Sequence, residues 1–190
     1  MNIRPATRAD SADLAILDDI ASSGLAAWLW TGAVKAGKAG TPQEYGRRKF
    51  AAGKGDLSWR NALIAEFDGD TAGMTLSYPR ASDIEPPSPP NAVLAPLIEL
   101  LNLAKGTWYI DALAVYTAHR GSGVGRVLMQ AEIERAKGGA MSLITEDDNT
   151  RAQALYFSLG FGETARRSCT KFSSNQTTRQ WLLLTRPATI

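Results

Sequence analysis

Three glycines stand at alternating positions in the segment 121–125, and they constrain what this chain can fold into. The preceding run, Trp108–Val115, alternates apolar with small or polar residues and predicts a β-strand. Four apolar residues then recur with the spacing of one helix face: Val124, Val127, Leu128 and Ala131. A glycine turn between a strand and a helix leaves backbone N–H groups open to an anion at the positive end of the helix dipole. The segment therefore predicts a site for a phosphate or pyrophosphate group.

Three kinds of phosphate-binding glycine loop compete for this segment. A P-loop requires Lys followed by Ser or Thr after its last glycine, whereas Gly125 is followed by Arg126-Val127. A dinucleotide-binding loop requires G-x-G-x-x-G, and the glycine spacing here is different. The acyl-coenzyme A loop Arg/Gln-x-x-Gly-x-Gly/Ala is the third, and Arg120-Gly-Ser-Gly123-Val-Gly125 fits it in full. A glycine turn without a ligand stays the alternative unless a second motif supports the first.

The segment Asn149–Phe161 supplies that second motif. Asn149 predicts a helix N-cap, and Gly160 predicts the end of the same helix. One face of the helix would carry Ala152, Leu155, Tyr156 and Leu159. Together with Leu113-Ala-Val115 and the glycine segment, this pattern closely resembles the GCN5-related N-acetyltransferase (GNAT) superfamily. The resemblance covers residues from about Trp108 to Gly162, whereas the first hundred residues match only in general layout.

The resemblance implies an α/β (α+β) fold, the single-domain acyl-CoA N-acyltransferase fold. Its mixed, twisted sheet of about six to seven strands would be flanked by helices. We expect one N-acetyltransferase domain over residues 1–190, with a cofactor-binding core at about 107–162. The acceptor side would be formed by residues from about 22–60 and 79–105.

The resemblance also implies an activity. We expect an acetyl-CoA-dependent N-acetyltransferase, in which a primary amine of the acceptor attacks the thioester directly. Acetyl-CoA would be the donor substrate, and no metal is implied. The alternative is an acyl-CoA-binding regulatory or interaction module without catalysis. The presence of Tyr156 argues against this alternative, whereas the unidentified general base leaves it open.

A set of donor-site residues follows from the resemblance. The N–H groups across Gly121–Arg126 would bind the pyrophosphate, and Arg120 and Arg126 would add positive charge. The backbone of Leu113 and Val115 would pair with the pantetheine arm, which Asn149 would also contact. The expected cofactor-binding residues are Leu113, Val115, Arg120, Gly121, Ser122, Gly123, Val124, Gly125, Arg126, Asn149 and Tyr156.

The catalytic residues expected from the resemblance are Tyr156, Asp111 and Leu113. Tyr156 is the expected general acid, because a phenol of pKa near ten keeps its proton at neutral pH. The Leu113 N–H would polarise the thioester carbonyl in the manner of an oxyanion hole. Asp111 shares the strand parity of Leu113, so its side chain should face the same side. That carboxylate could take the proton of the amine, bind the substrate ammonium or cap a neighbouring strand.

The remaining reactive side chains have simpler interpretations. His119 precedes the glycine segment and is expected to be a solvent-facing loop residue. Cys169 is expected to be a buried structural thiol, because its surroundings in the sequence hold no histidine. With one cysteine and one histidine, the chain excludes an intrachain disulfide and makes a structural zinc site very improbable.

Composition limits the partners. The chain of 190 residues is 44% hydrophobic and 21% charged, as expected for one globular domain. Its net charge of +2 does not favour nucleic acid or a membrane as a partner. The single cysteine and the absence of a signal sequence or long apolar run favour a cytoplasmic protein. We expect a small-molecule or peptide amine acceptor, and a homodimer stays open.

The other elements follow from local patterns. Thr41-Pro-Gln-Glu44 is a capping box that predicts a helix to about Ala52, after a loop over Thr31–Gly40. Asp10 is predicted to cap a first helix. The proline-dense segment Pro79–Pro96 predicts an exposed loop, either a tether or a lid. The other predicted elements are strands at Asn2–Thr7, Ala62–Phe67, Ala72–Tyr78, Met141–Thr145, Glu163–Phe172 and Gln180–Thr185 and a short helix at Leu97–Leu103.

Overall fold

The structure is a computed structural model that describes residues 1–88, 91–174 and 176–189. Within these ranges the helices are α1 (Ser11–Ala21), α2 (Leu25–Lys35), α3 (Pro42–Ala51), α4 (Ala95–Leu103), α5 (Val124–Arg135) and α6 (Thr150–Ser158). The strands are β1 (Asn2–Pro5), β2 (Ala62–Phe67), β3 (Asp70–Pro79), β4 (Trp108–Val115), β5 (Met141–Glu146), β6 (Gly162–Ser168) and β7 (Gln180–Arg186). No helix in the described ranges is long and apolar enough to cross a bilayer.

The described strands form one mixed sheet in the order β1-β2-β3-β4-β5-β7-β6. The β4–β5 pair is parallel, with a register from Trp108↔Met141 to Ile110↔Leu143. The pairs β1–β2, β2–β3, β5–β7 and β6–β7 are antiparallel. The predicted α/β class with a mixed sheet and flanking helices is confirmed, as is the parallel neighbourhood of the strands before and after α5.

Two compact units divide the described residues. The first comprises Met1–Ser77 and Asp111–Glu132, and the second comprises Tyr78–Ile110 and the described residues from Ile133 onward. The expectation of a single domain over residues 1–190 stays a prediction.

The first unit is built around an apolar cluster between helices and strands. Leu14 and Leu17 of α1 and Phe50 of α3 are fully buried there. The strands contribute Ile64, Met74, Leu76, Ala112 and Ala114. A second cluster joins Val124 and Leu128 of α5 to Leu63, Ala65 and Ala72, with Leu113 and Val115 packed against it. Alternate residues of β4 therefore contribute to two different clusters, as strand geometry requires.

In the second unit, β7 lies between two antiparallel partners and is buried over most of its length. Its residues Trp181–Leu184 are at most 5% exposed, and β7 pairs with β5 on one side and β6 on the other. A salt bridge of 2.6 Å joins Arg167 of β6 to Glu99 of α4. Asn102 of α4 accepts the Ile84 N–H and donates to the Ile84 carbonyl, which holds part of the proline-dense segment. Pro89 and Pro90 of that segment lie outside the described residues.

Several local predictions hold in the structure. Thr41 accepts the Glu44 N–H at 3.1 Å, so α3 begins as its capping box predicts, and Glu44 in turn accepts the Gly40 N–H. Asp68 and Gly69 have φ angles of 52° and 89°, as expected for the tight turn of the β2–β3 hairpin. The short helix predicted at Leu97–Leu103 is α4.

Three local predictions are corrected. The loop predicted at Thr31–Gly40 is wrong in its first half, because α2 continues to Lys35 and includes Gly32. Asp10 precedes α1 but gives it no side-chain cap, since its carboxylate accepts hydrogen bonds from Arg4 and Thr7 instead. The strand predicted at Glu163–Phe172 ends at Ser168.

The face of α5 that is buried also differs from the predicted one. Val124 and Leu128 are buried as expected, but Val127 is 37% exposed. The buried stripe continues through Met129 and Glu132, both of which are 0% exposed. Glu132 takes this place because its carboxylate accepts hydrogen bonds from the Thr75 and Ser77 hydroxyls at 2.6 and 2.7 Å. Because two buried hydroxyl groups donate to its carboxylate, an acidic residue is tolerated on the buried face of α5.

Candidate active site

The glycine segment of the first unit has the geometry of an anion site. Gly121 and Gly123 have φ angles of 88° and 87°, and α5 begins immediately afterwards at Val124. Within the described part of the chain, no N–H group from Gly121 to Gly125 donates to a protein acceptor. A Cβ atom placed on Gly123 would have no atom within 4 Å, so the space beside this backbone is open. Unused N–H donors at a helix N-terminus fit a pyrophosphate group.

The side chains of this segment hold the turn in shape. The Arg120 Nε donates to the Val115 carbonyl at 3.1 Å, which anchors the guanidinium beside the turn. The Ser122 hydroxyl donates to the His119 carbonyl at 2.6 Å, so Ser122 can offer a ligand its N–H group. Arg126 is exposed in the first turn of α5. The predicted positive charges therefore lie at both ends of the glycine segment.

Exposure along the second half of β4 follows the predicted parity. Ala112 and Ala114 are 4% and 5% exposed, while Asp111, Leu113 and Val115 are only partly buried. Leu113 and Val115 pack against the apolar cluster that includes Val124. The strand and the start of α5 therefore hold the predicted donor-site backbone in place within one unit.

One acidic residue of α1 is buried, and sequence reasoning missed it. Asp18 is 7% exposed. Burial, and then the negative charges of Asp111 and Asp19, raise the pKa of Asp18 well above its ordinary value. The position of Asp18 four residues after Leu14, on the buried stripe of α1, was the signal available in the sequence.

The second motif forms α6 as predicted, in the second unit. The Asn149 side chain accepts the Ala152 N–H at 3.3 Å and caps the helix. Gly160 follows the helix with a φ angle of 85°, as a C-terminal glycine should. Tyr156 is 7% exposed, and its ring lies 6.1 Å from that of Phe161 between centroids. No described residue forms a hydrogen bond with the Tyr156 phenol.

The environment of Tyr156 keeps its phenol protonated. Burial raises the pKa of Tyr156 above its ordinary value, and the negative charge of Glu146 raises this pKa further. A buried phenol without a protein acceptor is free to donate a hydrogen bond to a ligand.

The turn before α6 is tied to the residues that lead into β7. Asp147 accepts the N–H groups of Arg179 and Gln180 at 3.0 and 3.2 Å. Asp148 accepts the hydroxyls of Thr177 and Thr178. Burial acts to raise the pKa of Asp147, but hydrogen bonds from these backbone groups outweigh it and lower the pKa. The two carboxylates thus fix the turn in which Asn149 begins its helix.

His119 and Cys169 were not assigned to the predicted site, and both are half-buried in the structure. His119 is half-buried, with its ring 5.8 Å from that of Phe67, rather than fully solvent-facing. Cys169 is half-buried, and burial, followed by the charges of Asp147, Glu146 and Asp148, raises the pKa of its thiol to about 12. A thiol with so high a pKa is a poor nucleophile at neutral pH.

The predicted site residues thus fall into two groups. The first unit brings together Asp111, Leu113, Val115 and the segment Arg120–Arg126. The second unit holds Asn149 and Tyr156 on one helix. Across the described residues, no group of three or more His, Cys, Asp or Glu side chains could hold a metal ion.

Solved structures of known proteins share this fold. An N-acetyltransferase from Staphylococcus aureus Mu50 is 19% identical, with a TM-score of 0.69 over 97% of this chain and 100% of its own. A ribosomal-protein-alanine N-acetyltransferase from Brucella melitensis is 21% identical, with a TM-score of 0.57 over 98% and 99%. A protein described as histone acetyltransferase HPA2 and related acetyltransferase, from Corynebacterium glutamicum ATCC 13032, is 22% identical, with a TM-score of 0.62 over 100% and 97%.

At these identities the likeness concerns the fold alone. No protein with a curated functional description matches the chain in sequence. The family model described as acetyltransferase (GNAT) family matches residues 25–161, which include the glycine segment and α6. This family uses acetyl-CoA, and its members transfer acyl groups. Most of the chain is covered by the match, so the protein is a transferase that belongs to the GNAT acetyltransferase family.

Proposed function

We propose that the protein transfers the acetyl group of acetyl-CoA to a primary amine of its acceptor by direct attack of the amine on the thioester. The observation that carries this proposal is the set of N–H groups from Gly121 to Gly125, which lie at the N-terminus of α5 and have no acceptor in the described protein. Bound acetyl-CoA would supply the activated acyl group. The pyrophosphate of the donor would accept hydrogen bonds from these N–H groups, with Arg120 and Arg126 adding positive charge.

The backbone of β4 would hold the pantetheine arm. Leu113 and Val115 are only partly buried, which supports the use of their backbone groups by an extended ligand. The Leu113 N–H would donate to the thioester oxygen and stabilise the negative charge that develops there. Asn149 would contact the arm while it caps α6.

Tyr156 would act as the general acid toward the departing sulfur. Its raised pKa keeps the phenol protonated at neutral pH, which an acid requires. The same shift makes proton transfer uphill to an ordinary thiolate, whose conjugate thiol has a pKa of about 8.5. Tyr156 would therefore first stabilise the thiolate by a hydrogen bond and then give up its proton. Asp111 stands two residues before Leu113 on β4. Its carboxylate would take the proton of the acceptor amine or bind the substrate ammonium.

The release of free thiol from acetyl-CoA across a panel of amines tests this proposal. Thiol release that depends on both an amine and the protein supports N-acetyltransfer. Binding of coenzyme A without release for any amine would instead support a regulatory acyl-CoA-binding module. The compartment belongs to the same proposal, since a single half-buried cysteine suits a reducing cytoplasm.

A further inference from the structure

The segment 35–60, which includes α3, is much more basic than the rest of the chain. Its seven basic and two acidic residues give it a net charge of +5. Because the whole chain has a net charge of +2, the remaining residues have a net charge of −3. The seven basic residues form the basic set, which consists of Lys35, Lys38, Arg47, Arg48, Lys49, Lys54 and Arg60.

The basic set is exposed and lacks acidic partners. All seven residues are exposed, and none of them forms an ion pair with another described residue. Basic residues elsewhere do form such pairs, for example Lys105 with Asp83 at 3.0 Å and Arg166 with Glu163 at 2.6 Å. The positive charge of the basic set is therefore available to a partner from outside the chain.

Contacts on α3 bring the basic set onto one surface of the first unit. Arg48 donates from Nη1 to the Lys38 carbonyl at 2.6 Å, so the residues that follow α2 lie beside α3. Just after the end of α3, a Cβ atom on Gly53 would lie 3.3 Å from Arg60 Nε. The helix itself has ten residues and a length of about 15 Å. The seven charges are thus distributed along this helix and at its two ends.

Four members of the basic set have a use within the fold. Lys35 lies in the last turn of α2, and Arg48 and Lys49 lie in the last turn of α3. Basic side chains at these positions interact favourably with the negative end of the helix dipole. The Arg60 guanidinium stacks over the Trp59 ring, with Cζ 4.3 Å from the ring centroid.

The other three members, Lys38, Arg47 and Lys54, have no such use. Lys38 and Lys54 lie outside the helices, and Arg47 precedes the last turn of α3. Among the described residues, none accepts a hydrogen bond from any of the three side chains. Three like charges near four others destabilise the free protein by repulsion, and an anionic partner would remove this cost.

The surroundings of the basic set favour an acidic peptide as that partner. Proteins hold single-stranded nucleic acids partly by stacking bases on accessible aromatic rings, but Tyr45, Phe50 and Trp59 pack with the apolar cluster of the first unit. No large apolar side chain of the segment 35–60 is exposed, so a membrane anchor is missing. The net charge of −3 on the remaining residues would also repel a polyanion that extends beyond α3.

We propose that the surface formed by the basic set docks an acidic peptide segment of a partner protein. An extended peptide spans about 3.3 Å per residue, so about five acidic residues match the length of α3. Their carboxylates would meet the positive charges along the helix in turn. The inference does not depend on the proposed acetyl transfer, because no member of the basic set belongs to the predicted donor site.

A peptide of eight glutamates with blocked termini is the probe. Its binding to the complete protein can be followed by chemical-shift titration of the backbone N–H groups. We expect the largest shifts within the segment 35–60. An increase in salt from about 50 mM to about 500 mM should weaken binding by at least about tenfold, because exposed charges are screened. A blocked peptide of eight glutamines should not bind.

A triple variant tests the three members without a use in the fold. Lys38→Gln, Arg47→Gln and Lys54→Gln together should weaken binding of the glutamate peptide by about tenfold, as expected for the loss of three exposed charge pairs. The midpoint of urea denaturation should not fall, since none of the three side chains forms a hydrogen bond with a described residue.

A second triple variant controls for net charge. Lys137→Gln, Arg151→Gln and Lys171→Gln remove three exposed charges of the second unit. Each triple variant changes the net charge of the chain from +2 to −1. The control should change the affinity for the glutamate peptide by less than about twofold.

Each outcome decides for or against the docking surface. Equal losses in the two triple variants, or shifts in the wild type that lie outside the segment 35–60, overturn it. Tighter binding of a single strand of eight nucleotides than of the glutamate peptide, at the same salt concentration, assigns the surface to nucleic acid and overturns the peptide partner. If the first triple variant is unfolded, the shifts in the wild type decide.

Discussion

The phenol of Tyr116 donates a hydrogen bond of 2.6 Å to the carboxylate of Asp13. The bond links the residue that follows β4 to the first turn of α1, across 103 positions of the sequence. Burial, and then this hydrogen bond, raise the pKa of Tyr116 above its ordinary value. The contact therefore helps to hold α1 against the end of β4.

Removal of the Tyr116 hydroxyl should destabilise the first unit. Tyr116→Phe leaves the Asp13 carboxylate without this donor, and a hydrogen bond to a charged group contributes about 1–2 kcal/mol at a half-buried site. Urea denaturation should show a loss of this size. Asp13→Asn serves as the matched control, because its amide oxygen can still accept the phenol and the loss should be smaller. Equal stability of Tyr116→Phe and wild type would show that the contact contributes nothing.

Gly123 provides a separate test of the donor site. Its φ angle of 87° disfavours any side chain, and alanine there should cost about 1 kcal/mol of stability. Because the backbone beside Gly123 is open, the added methyl group would also occupy the space of a pyrophosphate. We expect Gly123→Ala to weaken coenzyme A binding by at least about tenfold.

Gly69 is the matched control for this substitution. It has a φ angle of 89°, and a Cβ atom there would also meet nothing within 4 Å. Gly69→Ala should lose similar stability and keep its affinity for coenzyme A in a titration. If both variants bind coenzyme A as the wild type does, the glycine segment is not the pyrophosphate site.

The Tyr156→Phe variant tests whether Tyr156 is the general acid. The substitution keeps the ring that lies against Phe161 and removes the proton that the leaving sulfur would receive. Loss of a general acid typically costs about 10²-fold or more in rate, so initial rates should show a lower kcat. The dissociation constant of coenzyme A should change by less than about threefold. A Tyr156→Phe variant with wild-type kcat would exclude Tyr156 as the acid.

Features that depend on neighbouring residues in the chain were predictable from the sequence. The N-caps Thr41 and Asn149 and the turn at Asp68-Gly69 each rest on contacts within a few residues, and they were predicted correctly. The parallel pair β4–β5 also followed, because a strand, a helix and a second strand have few ways to connect.

Features that depend on distant residues were not predictable. Glu132 is buried because Thr75, 57 positions away, supplies a hydroxyl, and no local pattern around either residue indicates the partner. Asp18 was missed for a different reason: its spacing from Leu14 places it on the buried face of α1, but aspartate is rarely buried. The helix over Thr31–Lys35 was predicted as a loop because Gly32 is a poor helix former. Burial of the adjacent Trp30, whose ring lies where a side chain on Gly46 would stand, favours α2 despite this glycine.

Asp10 should make the protein sensitive to acid. The Arg4 guanidinium donates two hydrogen bonds to the Asp10 carboxylate at 2.9 and 2.8 Å, and the Asp10 side chain is only 10% exposed. The ion pair with Arg4 lowers the pKa of Asp10 from 3.8 to about 2. A carboxyl group with a lowered pKa in the folded state stabilises the protein above its unfolded pKa, and this stabilisation is lost as the pH falls toward 2.

The expected contribution of this carboxylate is about 2 kcal/mol at neutral pH, and it should disappear between about pH 4 and pH 2. Chemical denaturation of the wild type and Asp10→Asn at several pH values can measure it as a difference. The variant should be less stable at pH 7, and the two curves should converge in acid. Asp18 acts with the opposite sign, since its raised pKa removes stability as the pH rises, but it is present in both proteins and cancels in the difference. If the two stability curves stay parallel from pH 7 to pH 2, the Arg4–Asp10 pair does not cause the loss of stability in acid.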